Sequence, residues 1–160
     1  MLMFNTNWNT GTKNKIDYTS IILQIKEHSK ENGTVYIGTD SFFIKDCCIF
    51  STAICLYGAD NQQGGRYFFT KTKLNKNQFP ELSIRMIKEA ENTISLANNI
   101  MEQVPTAKLE LHLDISPHDA NAGTSHLAKM LVGYVRGSGY ECKVKPFAFA
   151  AASIADKHSK

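Results

Sequence analysis

No stretch of this chain approaches the ~20 consecutive apolar residues needed to span a membrane. The N-terminal MLMFNTNWNTGTKNK also lacks the apolar core of about 7–15 residues that marks a signal peptide. A soluble, cytoplasmic protein with no membrane partner is expected. Cysteine is scarce and unpatterned: Cys47, Cys48, Cys55 and Cys142 make no CxxC pair, and three of them sit in apolar, strand-like runs. Reduced core thiols are expected in place of a zinc site or a disulfide framework. Phosphate-binding loops, dinucleotide fingerprints and Gly-x-Ser-x-Gly elbows are all missing, which leaves a nucleotide cofactor unsupported and makes Ser125 a helix cap and not a nucleophile. There is no internal repeat and no low-complexity linker. Charge is nearly balanced, with 18 Lys and Arg against 15 Asp and Glu, and the net +3 permits an anionic partner without requiring one.

What remains is a chain of 160 residues, enough for one domain, 1–160, with a substantial core. Residues 1–16 are rich in Asn and Thr without periodicity, predicting an irregular arm pinned by Phe4 and Trp8. Ile21, Ile22, Ile25 and His28 recur at helical spacing over Tyr18 to Glu31, with Thr19 as a cap, Asn32-Gly33 as the stop, and His28 at the surface or edge. Three strands follow, from Val35 through Ile44, Cys47 to Tyr57 and Arg66 to Leu74, and links this short allow only antiparallel neighbours. A long helix opens at Pro80 and ends before Pro105, and a fourth strand spans Lys108 to Ser116. A helix from Gly123 to Val135, capped by Thr124 or Ser125, leads to a fifth strand over Glu141 to Phe147 and an alanine-rich helix from Phe149 to His158. The class is α/β: a mixed five-stranded sheet flanked by helices, an antiparallel meander whose first strand lies parallel to the fourth.

The fourth strand organises the rest. KLELHLDIS alternates Leu109, Leu111, Leu113 and Ile115 with Glu110, His112 and Asp114, the period of a strand with one dry face. Pro117, Asp119, Asn121 and Gly123 follow, so Asp114 falls near the C-terminal end, where open α/β sheets place their ligands. The first strand, VYIGTDS, also ends in an aspartate, Asp40. If these strands are neighbours, two carboxylates meet.

IGTDS, HLDIS and KPFAFAAASIADKHSK, in that order on those elements, resemble the YkuK-like family of bacterial and phage proteins within the ribonuclease H-like superfamily. The resemblance covers about Val35 to Lys160 and implies a ribonuclease H-like fold, with metal-dependent phosphodiester cleavage by clustered acids as the superfamily's chemistry. Asp40 and Asp114 match its first- and fourth-strand aspartates, Asp156 matches its final-helix acid, and the helix between should supply a glutamate. Of Glu81, Glu89, Glu91 and Glu102, Glu89 falls beside Leu82, Leu96 and Ile100 at about 100° per residue, whereas Glu91 falls toward the opposite face. The basic substrate-binding insertion of ribonucleases H proper is not evident.

Such a set is all oxygen and suits hard Mg2+ or Mn2+; two such ions about 3.5–4 Å apart can activate water and stabilise the leaving oxygen of a phosphodiester. Ser41, His158 and Lys145 are auxiliary candidates, His158 for proton transfer or substrate contact. Lys71, Lys73, Lys143, Lys145, Lys157 and Lys160 form either a phosphate-contacting surface or a set of solvated faces. Gly38 either admits a substrate backbone or relieves packing. His112, His118 and His126 read as surface or packing residues. Each acid taken singly has a structural reading too: Asp40 as a strand-end turn residue, Asp114 as a loop cap, Glu89 as a solvated helix acid. Two functions are open: a Mg2+- or Mn2+-dependent nuclease acting on RNA, RNA/DNA hybrid or structured DNA, or a module that binds nucleic acid or a protein partner without cutting.

Overall fold

A computed structural model describes residues 7–116 and 122–159. The expectations for Phe4, His118, Lys160, the loop at Pro117, Asp119 and Asn121, and the Thr124 side chain lie outside the described residues. The elements run β1 (Trp8–Thr10), β2 (Lys15–Ile16), α1 (Tyr18–Lys30), β3 (Thr34–Ile44), β4 (Cys47–Tyr57), β5 (Arg66–Asn75), α2 (Leu82–Gln103), β6 (Lys108–Leu113), α3 (Ala122–Gly137), β7 (Glu141–Lys143) and α4 (Asp156–Ser159). The strand order is β2-β1-β5-β4-β3-β6-β7. Pairing is antiparallel from β2 across to β3 and parallel from β3 through β6 to β7. The meander and the parallel β3–β6 pair are as expected, but the sheet has seven strands and not five.

The extra strands come from the supposed irregular arm. Trp8 is fully buried and packs on Tyr18 with ring centroids 5.9 Å apart. Its strand completes the free edge of β5, Trp8 opposite Thr70 and Thr10 opposite Phe68. Polar Asn and Thr side chains hide such a strand from any periodicity test, because backbone hydrogen bonds and one aromatic anchor hold it in place.

Helix α1 is capped by Asp17, whose Oδ1 accepts from the Ser20 N–H at 2.8 Å, in place of the expected Thr19. His28 is buried, not peripheral: its Nε2 lies 2.8 Å from the Thr34 carbonyl oxygen. Gly33 leaves the room for this ring, since a Cβ there would stand 2.2 Å from His28 Nε2. Of the four cysteines, Cys48, Cys55 and Cys142 are buried, and all four are free thiols. No helix among the described residues is long and apolar enough to cross a membrane.

Both late strands are shorter than expected. β6 ends at Leu113, short of Ser116, and β7 ends at Lys143, short of Phe147. Pro146 has no N–H to give a ladder, and the Phe147 N–H turns back to the Val144 carbonyl at 2.8 Å. The leucine face of β6 joins the main core, where Leu111 and Leu113 pack with Ile94, Ala97, Leu131 and Val135 from the neighbouring helices. The polar face is only partly open to water, with His112 fully buried and Glu110 and Asp114 partly exposed. The final helix covers it, beginning at Phe149, passing through a π-helical stretch over Ala150–Ala155 and ending as α4.

Two residues seat that helix. At Gly38 an added Cβ would stand 2.4 Å from the Ala151 backbone nitrogen, so the glycine admits the helix itself and not a substrate. His112 is fully buried and its Nδ1 accepts the Ala150 N–H at 3.0 Å. Accepting at Nδ1 places the ring proton on Nε2, which donates to Glu110 Oε1 at 3.0 Å. Burial, partly opposed by Glu110, moves the His112 pKa down and favours this neutral form. His112→Leu, which leaves the Ala150 N–H buried without an acceptor, is expected to cost about 1–3 kcal/mol. A urea midpoint unchanged from wild type would show that His112 does not hold the helix.

Candidate active site

The last rung of the β3–β6 ladder pairs Thr39 with Leu113. One residue further on, Asp40 and Asp114 follow in the same register at the point where β6 leaves the sheet. Alternation along β3 then assigns its side chains to two faces. Thr39 and Ser41 face α2, through Thr93 Oγ1 at 2.9 Å and Glu89 Oε1 at 2.8 Å respectively. Gly38 and Asp40 face the final helix, through the Ala151 backbone and Ser159 Oγ. The strand terminus therefore meets one acid from each layer, Glu89 from α2 and Asp156 from α4.

Asp40 is 8 % exposed, and Ser159 Oγ donates to its Oδ2 at 3.3 Å. Burial first, then a hydrogen bond shared with Asp156, then the charge of Asp114 push its pKa up to about 7. Glu89 accepts from Ser41 Oγ at 2.8 Å. Its carboxyl is partly accessible yet densely surrounded by protein, and burial together with the charge of Asp40 raises its pKa well above the usual range, against the opposing pull of Ser41 and Arg85. Glu81, Glu91 and Glu102, by contrast, are exposed.

Asp114 has a cation beside it. Lys145 Nζ lies 3.0 Å from Asp114 Oδ1, but the approach is not angled as a directed hydrogen bond, and Oδ1 is otherwise a buried, unpartnered oxygen. The close contact with Asp114 raises the Lys145 pKa, with the charges of Asp114, Asp40 and Asp156 adding to it. Lys145 is thus within the field of three of the acids. His158 is turned to the far side of the final helix: its ring stacks on Phe69 at 3.6 Å and 7°, and its Nε2 lies 2.9 Å from Tyr67 Oη. Burial, then Lys157, Lys71 and Lys13, lower its pKa.

Three contributors escape a reading of the sequence. Ser159 orients Asp40. Thr93, Thr39 and Thr52 make a buried hydroxyl chain that ties α2 to the sheet beneath the acids, at 2.9 and 3.0 Å. Arg85 lies over the Phe43 ring at 4.6 Å, one helical turn before Glu89. Thr39 could have been suspected from strand alternation alone; Ser159 and Arg85 carry no such signal.

Four carboxylates with one adjacent lysine form an all-oxygen donor set with negative charge in excess. The upward shifts of Asp40 and Glu89 express that excess, and a buried Asp114 oxygen met by Lys145 but by no directed hydrogen bond fits a hard divalent cation as well. Among the described residues, no three His, Cys, Asp or Glu side chains are gathered closely enough to hold an ion as they stand.

A family model described as Ribonuclease H-like matches residues 18–160. No curated protein matches the chain.

Proposed function

The chain belongs to the ribonuclease H-like family, and on that premise we propose that it is a Mg2+- or Mn2+-dependent nuclease acting on RNA, RNA/DNA hybrid or structured DNA. The observation that supports this reading is the side-by-side placement of Asp40 and Asp114 on the parallel pair β3–β6, with Glu89 tied to the same strand through Ser41 and Asp156 reaching Asp40 from the final helix. These four residues would hold the ions, which when bound supply Lewis-acid activation of water and of the leaving oxygen. The chain's own part is positional. Ser41 fixes the Glu89 carboxylate, Ser159 fixes one oxygen of Asp40, and Lys145 holds Asp114 while keeping a positive charge beside the site. Asp40 and Asp156 share a hydrogen bond that must give up its proton before both can act as anionic ligands. Lys145 is half-exposed, so it can exchange its pairing with Asp114 for a substrate phosphate.

One observation favours a second reading, a module that binds nucleic acid or a protein partner without cutting: no three acids among the described residues are close enough to share an ion. Cleavage decides between the two. Purified protein is tested against labelled RNA, hybrid, duplex and junction substrates. Activity is expected with Mg2+ or Mn2+, abolished by EDTA and restored by either ion, with zinc a poor replacement at an all-oxygen site. Chelator-resistant cleavage that tracks with the protein would reject the mechanism, and binding without cleavage across the panel would favour the module.

A further inference from the structure

The face of the sheet under the final helix is graded in size. Gly38, Ala53, Phe69 and Asn9 form one rung across β3, β4, β5 and β1, and Asp40, Ser51 and Lys71 form the next rung on the same face. Gly38, Ala53 and Ser51 are small and make the bed on which the helix lies. Phe69 and Lys71 are not, and beyond the helix they open into a cavity of about 320 Å³ lined by Asn9, Lys13, Phe69, Lys71, Lys157 and His158. Three of these six are lysines, all exposed.

The walls are built. His158 is buried and fixed by its stack on Phe69 and its bond with Tyr67, so the ring forms a floor. Lys13 sits in the β1–β2 turn with φ at 66°, a conformation held by its N–H bond to the Thr10 carbonyl at 2.8 Å. Lys13, Lys71 and Lys157 come from three separate elements yet line the same cavity, so their charges share one space. Lys13 is contributed by the N-terminal hairpin, before the residues matched by the family model, 18–160. Two strand spacings, about 10 Å, separate Lys71 from Asp40 along their shared rung. That is about three base-pair rises along a nucleic-acid strand.

We propose that the cavity between the β1–β2 hairpin, β5 and the final helix binds a backbone phosphate of a nucleic-acid strand about three nucleotides along from the phosphodiester at the acidic site. The inference rests on the nuclease reading for the identity of the strand. Three ammonium groups supply charge without a fixed fork, which suits a phosphate that must slide between registers. Asn9 supplies an amide donor.

The test is fluorescence anisotropy in EDTA, so that no strand is cut, with labelled single-stranded and hybrid oligonucleotides over a salt series. Lys71→Gln and the double variant Lys13→Asn with Lys71→Gln are compared with wild type and with Lys30→Gln, a lysine paired to Glu27 on α1. Asn is chosen at position 13 because it tolerates positive φ. The double variant is expected to bind about tenfold more weakly and to lose about one from the log–log salt slope, while Lys30→Gln binds as wild type. Wild-type affinity and slope in the double variant would overturn the proposal, as would protection from melting by inorganic phosphate without any oligonucleotide binding. Lysine-dependent binding without cleavage under Mg2+ or Mn2+ would leave the phosphate site standing and remove the nuclease. Cleavage with binding indifferent to these lysines would do the reverse.

Discussion

Replacing Asp40 by asparagine is expected to lower cleavage by on the order of 10³-fold while making the metal-free protein more stable at pH 8. The second half of that result follows from the pKa. In the fold Asp40 titrates at about 7, above an unfolded aspartate near 4. A carboxyl whose folded pKa is raised binds its proton more tightly when folded, so its contribution is full below about pH 4 and is lost as pH rises through 7. Asparagine imitates the protonated form at every pH. The variant should therefore exceed wild type by on the order of 2 kcal/mol at pH 8 and by much less at pH 5. His112 and His158 have lowered pKa values and act in the opposite sense, but they do so in both proteins and cancel in the difference. Adding Mg2+ or Mn2+ should stabilise wild type more than the variant, because the ions bind only the folded state. Melts showing the variant destabilised at every pH, with an unchanged metal response, would make Asp40 a structural residue.

Gly38→Ala is the second large effect, and it acts from the opposite direction, through shape and not charge. The new methyl would stand 2.4 Å from the Ala151 nitrogen and 2.7 Å from the Ala150 carbonyl carbon, both backbone atoms that no rotamer change can move. The final helix must lift. Overpacking of this kind costs about 3 kcal/mol, and lifting the helix draws Asp156 and Ser159 away from Asp40 together. Cleavage is expected to fall by about 10²-fold, with earlier proteolytic nicking near residue 148. Full activity and wild-type stability in Gly38→Ala would mean that the helix is seated elsewhere.

Much of this architecture was legible because its signals are local. KLELHLD reads as a strand from two-residue alternation, and Glu89 was singled out among four glutamates because the face of a long helix is set by its own apolar stripe. The neighbouring of Asp40, which lies inside the longer β3, and Asp114, just past the end of β6, needed only the parallel pairing of those two strands. What escaped depends on distant partners. Strands of two and three residues have no period, so Trp8–Thr10 and Lys15–Ile16 exist because β5 offers an edge. His28 and His112 are buried because Gly33 leaves space for one and an N–H bond awaits the other. Nothing in AAASIADKHS announces a π-helical stretch, and the relation of Ser159 to Asp40 spans 119 positions of chain. The carboxylates were thus visible as a list, while the groups that orient them were not.

The borders of the sheet bear on the protein's behaviour in concentrated solution. A strand edge with free N–H and C=O groups invites pairing with another molecule. Here one border is β2, two residues long and containing Lys15, and the other is β7, three residues long with Glu141 and Lys143. Without the N-terminal hairpin, the border would be β5 and its adjacent Phe68 and Phe69, which β1 now covers. The rest of β5 carries Lys71 and Lys73, charges that resist stacking of like strands. The hairpin thus shields the edge of β5, and trimming it away to the matched family boundary at residue 18 is expected to leave that edge open to pairing with another molecule.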